Sequence, residues 1–189
     1  MPFVIVTGTA GAGKTTLVER IRGYKRTKVV NFGSIMEEIA KKKGYATSRD
    51  KVRYMSRKRQ REVQRMAFKK VSGIGGNVVI DTHAAIKAGS MYFPGSPFMF
   101  LDALKGVVGF VHIDADTRDI MKRRSADRSR VREKEDAHQI DNDRIVEISI
   151  ISAYSSKLNI PMYIIDNRQN RADEAVEALK DAISGIFGV

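Results

Sequence analysis

Eight consecutive residues limit this chain more than anything else in it. Gly8-Thr9-Ala10-Gly11-Ala12-Gly13-Lys14-Thr15 match G-x-x-x-x-G-K-[ST] at every fixed position. The surroundings are those the motif requires. Phe3-Val4-Ile5-Val6-Thr7 reads as a short buried strand, and Leu17, Val18 and Ile21 follow at helical spacing. Such a loop wraps backbone N–H groups round phosphates, and the helix N-terminus adds partial positive charge. Lys14 is then expected at the β- and γ-phosphates and the Thr15 hydroxyl on Mg²⁺. The plain alternative is a tight strand-to-helix turn with an incidental lysine, and the full match in context argues against it.

The rest of the chain alternates in the same way. Val29-Val30 opens a second strand, Asn77 to Asp81 form a third, Val107 to Ile113 a fourth and Met162 to Ile165 a fifth. Between them lie helical faces. Ile35, Met36, Ile39 and Ala40 mark one; a basic helix from about Ser56 to Val71 is another. A short helix falls near Leu101, a long one runs through Ile145, Ile148, Ile151 and Tyr154, and the last carries Ala175, Val176, Leu179, Ala182 and Ile183. Strands alternating with helices predict an α/β fold, a five-stranded parallel sheet flanked by helices. All 189 residues are expected in a single domain. Two stretches, roughly 84–97 and 125–137, read as irregular and as candidate functional loops. Asp81 ends an apolar strand beside the phosphate loop, where an acid serves the Mg²⁺ shell; alone it would read as a solvated strand end.

Composition narrows the class further. No apolar run approaches a membrane span, and the N-terminus enters a strand with no charged lead, so neither a membrane protein nor a secretory signal is expected. There is no cysteine, which excludes disulfides and thiolate-bound zinc and points to the cytoplasm. The net charge of +12 is concentrated. Residues 49–70 hold ten Lys/Arg against two acids, and residues 118–134 hold eight against three. Polyanions are the implied partners, whether nucleotide phosphates or nucleic acid, unless the charge is simply a solvated face.

The motifs taken together resemble the archaeal adenylate kinase family. The segments are Gly8 to Thr16, Asn31-Phe32-Gly33, Arg49-Asp50 with Arg53, Asp81-Thr82-His83, Gly89 to Pro97, and Asp127 to Arg132. They occur in this order across nearly the whole chain. The Asp-Gly-Phe-Pro-Arg pattern of bacterial adenylate kinases is absent. The resemblance implies a P-loop NTPase fold of the nucleoside monophosphate kinase type with a short lid. It also implies Mg²⁺-dependent transfer, ATP + AMP ⇌ 2 ADP, with ATP, AMP and ADP as ligands, and a homotrimer.

It further implies roles residue by residue. Gly8, Thr9, Ala10, Gly11, Ala12, Gly13, Lys14, Thr15 and Thr16 would bind ATP. Phe32, Gly33, Ser34, Arg53, His83 and Lys87 would bind AMP, within a region of about 31–72 and the loop after the third strand. Thr15, and Asp81 through water, would serve Mg²⁺. Lys14 with Arg123, Arg130 and Arg132 would be catalytic, the arginines belonging to a lid at about 125–137. Arg124 and Arg128 are rivals for those roles, because the basic residues can be aligned one position apart.

These roles suit the chemistry. Phosphoryl transfer asks a protein to align donor and acceptor and to neutralise charge, and guanidinium groups bind phosphate oxygens bidentately. A lid that closes expels water, which would otherwise accept the phosphoryl group. His112, inside an apolar strand, reads as a core histidine, and His138 as exposed. Tyr45, Tyr54 and Tyr92 read as packing rather than as base-stacking groups, and Met36, Met66 and Met121 fall at helical core positions. Two other functions stay open: a kinase for another nucleoside monophosphate, and an RNA- or ribosome-associated ATPase. The second draws on Arg57, Arg61, Arg65 and Lys69, which recur every fourth residue as one basic stripe. A solvated helix face is the simpler account of that stripe.

Overall fold

The structure is a computed structural model that describes residues 1–52, 54–127 and 136–189. Five parallel strands form its centre: β1 (Phe3–Gly8), β2 (Lys28–Asn31), β3 (Val78–Asp81), β6 (Val107–Asp114) and β7 (Met162–Asp166). Their spatial order is β2-β3-β1-β6-β7. All six residues of β1 are buried, as expected of a strand covered on both faces. The helices are α1 (Lys14–Arg20), α2 (Phe32–Lys42), α3 (Arg49–Val52), α4 (Arg57–Ser72), α5 (Phe98–Ala103), α6 (Thr117–Ala126), α7 (Ala137–Leu158) and α8 (Ala172–Phe187).

Alternate residues of the central strands feed two cores, because side chains leave a strand on opposite faces in turn. Phe3 and Ile5 join Phe32, Met36, Val63, Phe68 and Ile151 on one face. Val4 and Val6 join Leu17, Ile120, Ile140, Val176 and Leu179 on the other. Ile140 and Ile151 both belong to α7, so this helix reaches from one core to the other. Val63, Ala67 and Val71 form the buried side of α4, as the sequence predicts. Ile145 departs from the predicted apolar face of α7: it is 61% exposed. Met121 is likewise 39% exposed rather than core, since Ile120 supplies the buried position of that turn of α6.

The segment read as an irregular 84–97 loop is a correction. It contains an antiparallel hairpin of β4 (Ala85–Ala88) and β5 (Met91–Pro94). Gly89-Ser90 is its two-residue turn, with Gly89 at φ +61°. The hairpin base closes where the Gly95 amide donates to the Ala84 carbonyl at 2.9 Å. A Cβ on Gly95 would fall 2.3 Å from the His83 carbonyl oxygen. Only glycine fits there, which gives the Pro-Gly-x-Pro segment a physical reason.

Candidate active site

The phosphate loop lies between β1 and α1. Gly11 and Gly13 take φ of +92° and +87°, values that side chains disfavour. Gly8 has a different reason to be small: an added Cβ would sit 2.6 Å from the Ile113 carbonyl oxygen on β6. Lys14 is 7% exposed and forms an ion pair with Asp81 at the end of β3. The second oxygen of Asp81 accepts from Asn31 Nδ2 at 2.6 Å. Asn31 is also the N-cap of α2, where its Oδ1 accepts from the Ser34 amide at 2.9 Å. One short chain of contacts thus joins the loop, β3 and the start of α2.

A cavity of about 60 Å³ opens at this junction, lined among others by Lys14, Asp81, Phe32, Gly33 and His83. The structure therefore brings together residues that the sequence assigned to donor, metal and acceptor roles. Phe32 needs one adjustment. Its ring is 2% exposed and packs on Phe68 with centroids 4.4 Å apart, so α2 offers the cavity its N-terminus more than an aromatic face. Lys87, on β4, does not line this cavity; it pairs with Asp143 of α7 at 3.2 Å. Thr15 and Thr16 are exposed at the first turn of α1. Thr9 is buried, and its Oγ1 has no hydrogen-bond partner among the described residues.

Arginines approach the loop from α6. Arg123 donates to the carbonyls of Ala12 at 3.1 Å and Asn167 at 2.8 Å. Arg124 Nε donates to the Ala10 carbonyl at 2.8 Å. Arg123 and its rival Arg124 are thus both anchored on the phosphate loop. Arg53, Arg128, Arg130 and Arg132 lie outside the described residues, as does most of the 125–137 lid.

Three groups beside the loop were not read from sequence as site residues. Asn31 is one. Asn167 is buried and donates through Nδ2 to the Ala12 carbonyl at 2.7 Å; its place just after an apolar strand was the available signal. Glu147 is the third. Burial pushes its carboxyl up to about 8, reinforced by Asp143, against the pull of Lys14 and the amides of Ala84 and Gly8. Its Oε2 has no hydrogen-bond partner among the described residues. A carboxyl inside an otherwise apolar helical pattern was its only mark. His112 is a core histidine as expected. Its Nδ1 lies 3.1 Å from Thr7 Oγ1, and burial pushes it down to about 4, so it is neutral at physiological pH.

The donors fit Mg²⁺. A carboxylate and a hydroxyl are hard oxygen ligands, and Mg²⁺ keeps several waters and takes the rest of its shell from phosphate. Asp81 is buried, with both oxygens accepting from N–H donors.

The sheet order, the phosphate loop after β1 and the acid on the adjacent strand define a P-loop kinase fold of the nucleoside monophosphate kinase type. Shikimate kinase from Acinetobacter baumannii in complex with shikimate shares the fold, with TM-score 0.59 and 18% identity over 98% of this chain and 94% of that one. A family model described as AAA domain matches residues 7–141. The chain itself belongs to the adenylate kinase family of phosphotransferases. It is 34% identical to adenylate kinase from Methanopyrus kandleri over 98% of this chain and 100% of that protein. It is 31% identical to adenylate kinase from Methanothermobacter thermautotrophicus over 97% and 100%.

Proposed function

We propose that this protein catalyses the reversible reaction ATP + AMP ⇌ 2 ADP. The observation that carries the reading is the cavity in which Lys14 and Asp81 meet the N-terminus of α2 and His83. Donor and acceptor phosphates need such a meeting point for in-line transfer. Lys14 is held by Asp81. Arrival of the triphosphate lets Lys14 exchange that carboxylate for phosphate oxygens. Thr15, and Asp81 through water, would hold Mg²⁺, which neutralises charge on the phosphate oxygens when it accompanies ATP. Arg123 and Arg124 keep the loop in shape through its carbonyls. No general base is required, because the AMP phosphate is already an ionised nucleophile.

The acceptor arm is proposed to span about 31–72, with Arg53 on the AMP phosphate, and the lid about 125–137, with Arg130 and Arg132 on the transferring group. A trimer and a cytoplasmic location complete the reading. Tyr163 and Ile164, 41% and 55% exposed on the edge strand β7, offer apolar surface for self-association, and light scattering of the purified protein tests it. Among the described residues no helix is long and apolar enough to cross a membrane.

The function is tested by incubating the protein with Mg·ATP and each of AMP, CMP, UMP and GMP, and separating the nucleotides by chromatography. Rapid, reversible ADP formation with AMP alone is expected. Preference for another monophosphate would move the acceptor assignment. ATP hydrolysis without transfer would overturn the reading.

A further inference from the structure

The acceptor-side hairpin and the donor loop meet at one carboxylate that neither the phosphate loop nor the metal site uses. Asp143 lies on α7, with its side chain only 14% exposed. Its Oδ1 accepts from Tyr92 Oη at 2.6 Å and pairs with Lys87 Nζ at 3.2 Å. Lys87 and Tyr92 are partners across the β4–β5 hairpin, so Asp143 grips both strands of it. Its Oδ2 lies 3.9 Å from Arg124 Nη2, and Arg124 in turn donates to the Ala10 carbonyl of the phosphate loop. The path from hairpin to loop is therefore Tyr92 and Lys87, then Asp143, then Arg124, then Ala10. The Tyr92–Asp143 and Arg124–Ala10 links are hydrogen bonds, Lys87–Asp143 is a close ion pair, and Asp143–Arg124 is a longer, purely ionic contact. A mostly buried carboxylate holding donors from three elements fixes their relative positions more firmly than a surface pair would.

We propose that Asp143 is a positioning residue that couples acceptor binding at the hairpin to donor binding at the phosphate loop. The inference rests on the adenylate kinase reading above and deepens it. A displacement of the hairpin when the acceptor fills the cavity that Ile86 of β4 and Gly95 at the hairpin base help to line is transmitted through Asp143 to Arg124, and so to the carbonyl side of the loop. Binding of either nucleotide then favours the other, as linkage requires.

The test is equilibrium binding by calorimetry. The affinity for AMP is measured with and without a saturating non-hydrolysable ATP analogue, on the whole chain. The wild-type protein is expected to bind AMP about tenfold more tightly with the analogue present. In Asp143→Asn the gain is expected to fall below about twofold. Arg144→Ala, one residue along the same helix, is expected to lower the melting temperature yet keep the synergy.

Loss of synergy in Arg144→Ala as well would assign the effect to general destabilisation and overturn the inference. Full synergy in Asp143→Asn would overturn it while leaving the function standing. A wild-type protein that binds no AMP would overturn both, and one that binds both nucleotides without synergy would overturn the coupling alone. If Asp143→Asn does not fold, Tyr92→Phe decides. It removes one donor and keeps the ring, and its synergy should fall to about threefold; unchanged synergy there would overturn the coupling.

Discussion

Lys14 and Asp81 are buried together, and each is the other's principal counter-charge. Replacing Lys14 therefore does two things. It removes a phosphate contact, and it strands a carboxylate whose remaining partner is Asn31. Breaking a buried pair from one side typically costs about 3–5 kcal/mol. Lys14→Met should lose phosphoryl transfer and also melt several degrees lower. Lys14→Met with Asp81→Asn should recover most of the melting temperature and none of the activity. A double variant that melts as low as Lys14→Met would show that the loss does not come from the stranded carboxylate. Glu147 makes a separate prediction with a definite sign. Its folded pKa is raised to about 8 from 4.5. The folded state then binds more protons than the unfolded state between those values, and stability falls as pH rises through that window. Asp114 runs the other way. Burial would raise its carboxyl, but the Arg144 guanidinium and the Ala115 amide outweigh that and hold it below its ordinary 3.8; its contribution is lost only as pH falls into the acid range. Melting curves from pH 5 to 9 separate the two. Relative to wild type, Glu147→Gln should gain about 2–4 °C or more towards the alkaline end. Parallel curves would show that Glu147 does not titrate there.

At the scale of elements, α7 touches α6 and the strands β1, β4, β6 and β7. Arg144 binds Asp114 of β6 with two bonds of 2.8 Å, and Asp141 at 3.1 Å. Its N-terminus is closed by a capping box of Asp136 and Gln139. Arg144→Ala should therefore loosen the helix from β6 and lower the melting temperature by a few degrees; an unchanged melting curve would show that apolar packing alone docks α7. This helix also shows what the sequence could convey. Its existence follows from Ile148, Ile151 and Tyr154, whose period is local. Its traverse from one core to the other does not, because that depends on where the sheet edge lies. The five central strands were legible for the same reason as β1: each is a short, continuous apolar run flanked by turn residues. The β4–β5 hairpin was missed although Gly89-Ser90 is a recognised two-residue turn. Its strands hold Lys87 and Pro94 and lack the clean alternation of a half-buried sheet. The phosphate loop was readable because its residue types and spacing are dictated by phosphate, and Asp81 because it ends an apolar strand beside that loop. Glu147, Asn167 and Asp143 were not, since each acts through neighbours distant in sequence.

The charge of the whole molecule is unevenly compensated. On α2, Lys41 and Lys42 pair with Glu37 and Glu38 one turn away, and on α8 Lys180 pairs with Glu177. Along the outer face of α4, Lys58, Arg61, Arg65 and Lys69 are all exposed. Among the described residues, Lys58, Arg61 and Lys69 form no ion pair. Like charges at three- and four-residue spacing weaken a helix, so this face works slightly against the stability of the element that carries it. The helix α4 itself packs against α2, whose N-terminus opens on the acceptor cavity. A positive field there raises the local concentration of nucleotide anions and speeds their capture. Replacing Lys58, Arg61 and Lys69 together by Gln should leave kcat unchanged and lower kcat/KM for AMP by about threefold to tenfold at low salt. The difference between the variant and wild type should shrink between about 0.01 M and 0.1 M salt, as the screening length drops from about 30 to about 10 Å. Initial rates at the two salt concentrations decide the matter. If kcat/KM is the same for both proteins at low salt, the face does not serve nucleotide capture. Binding of single-stranded RNA by the wild type alone, with a steep salt dependence, would then account for the uncompensated charge.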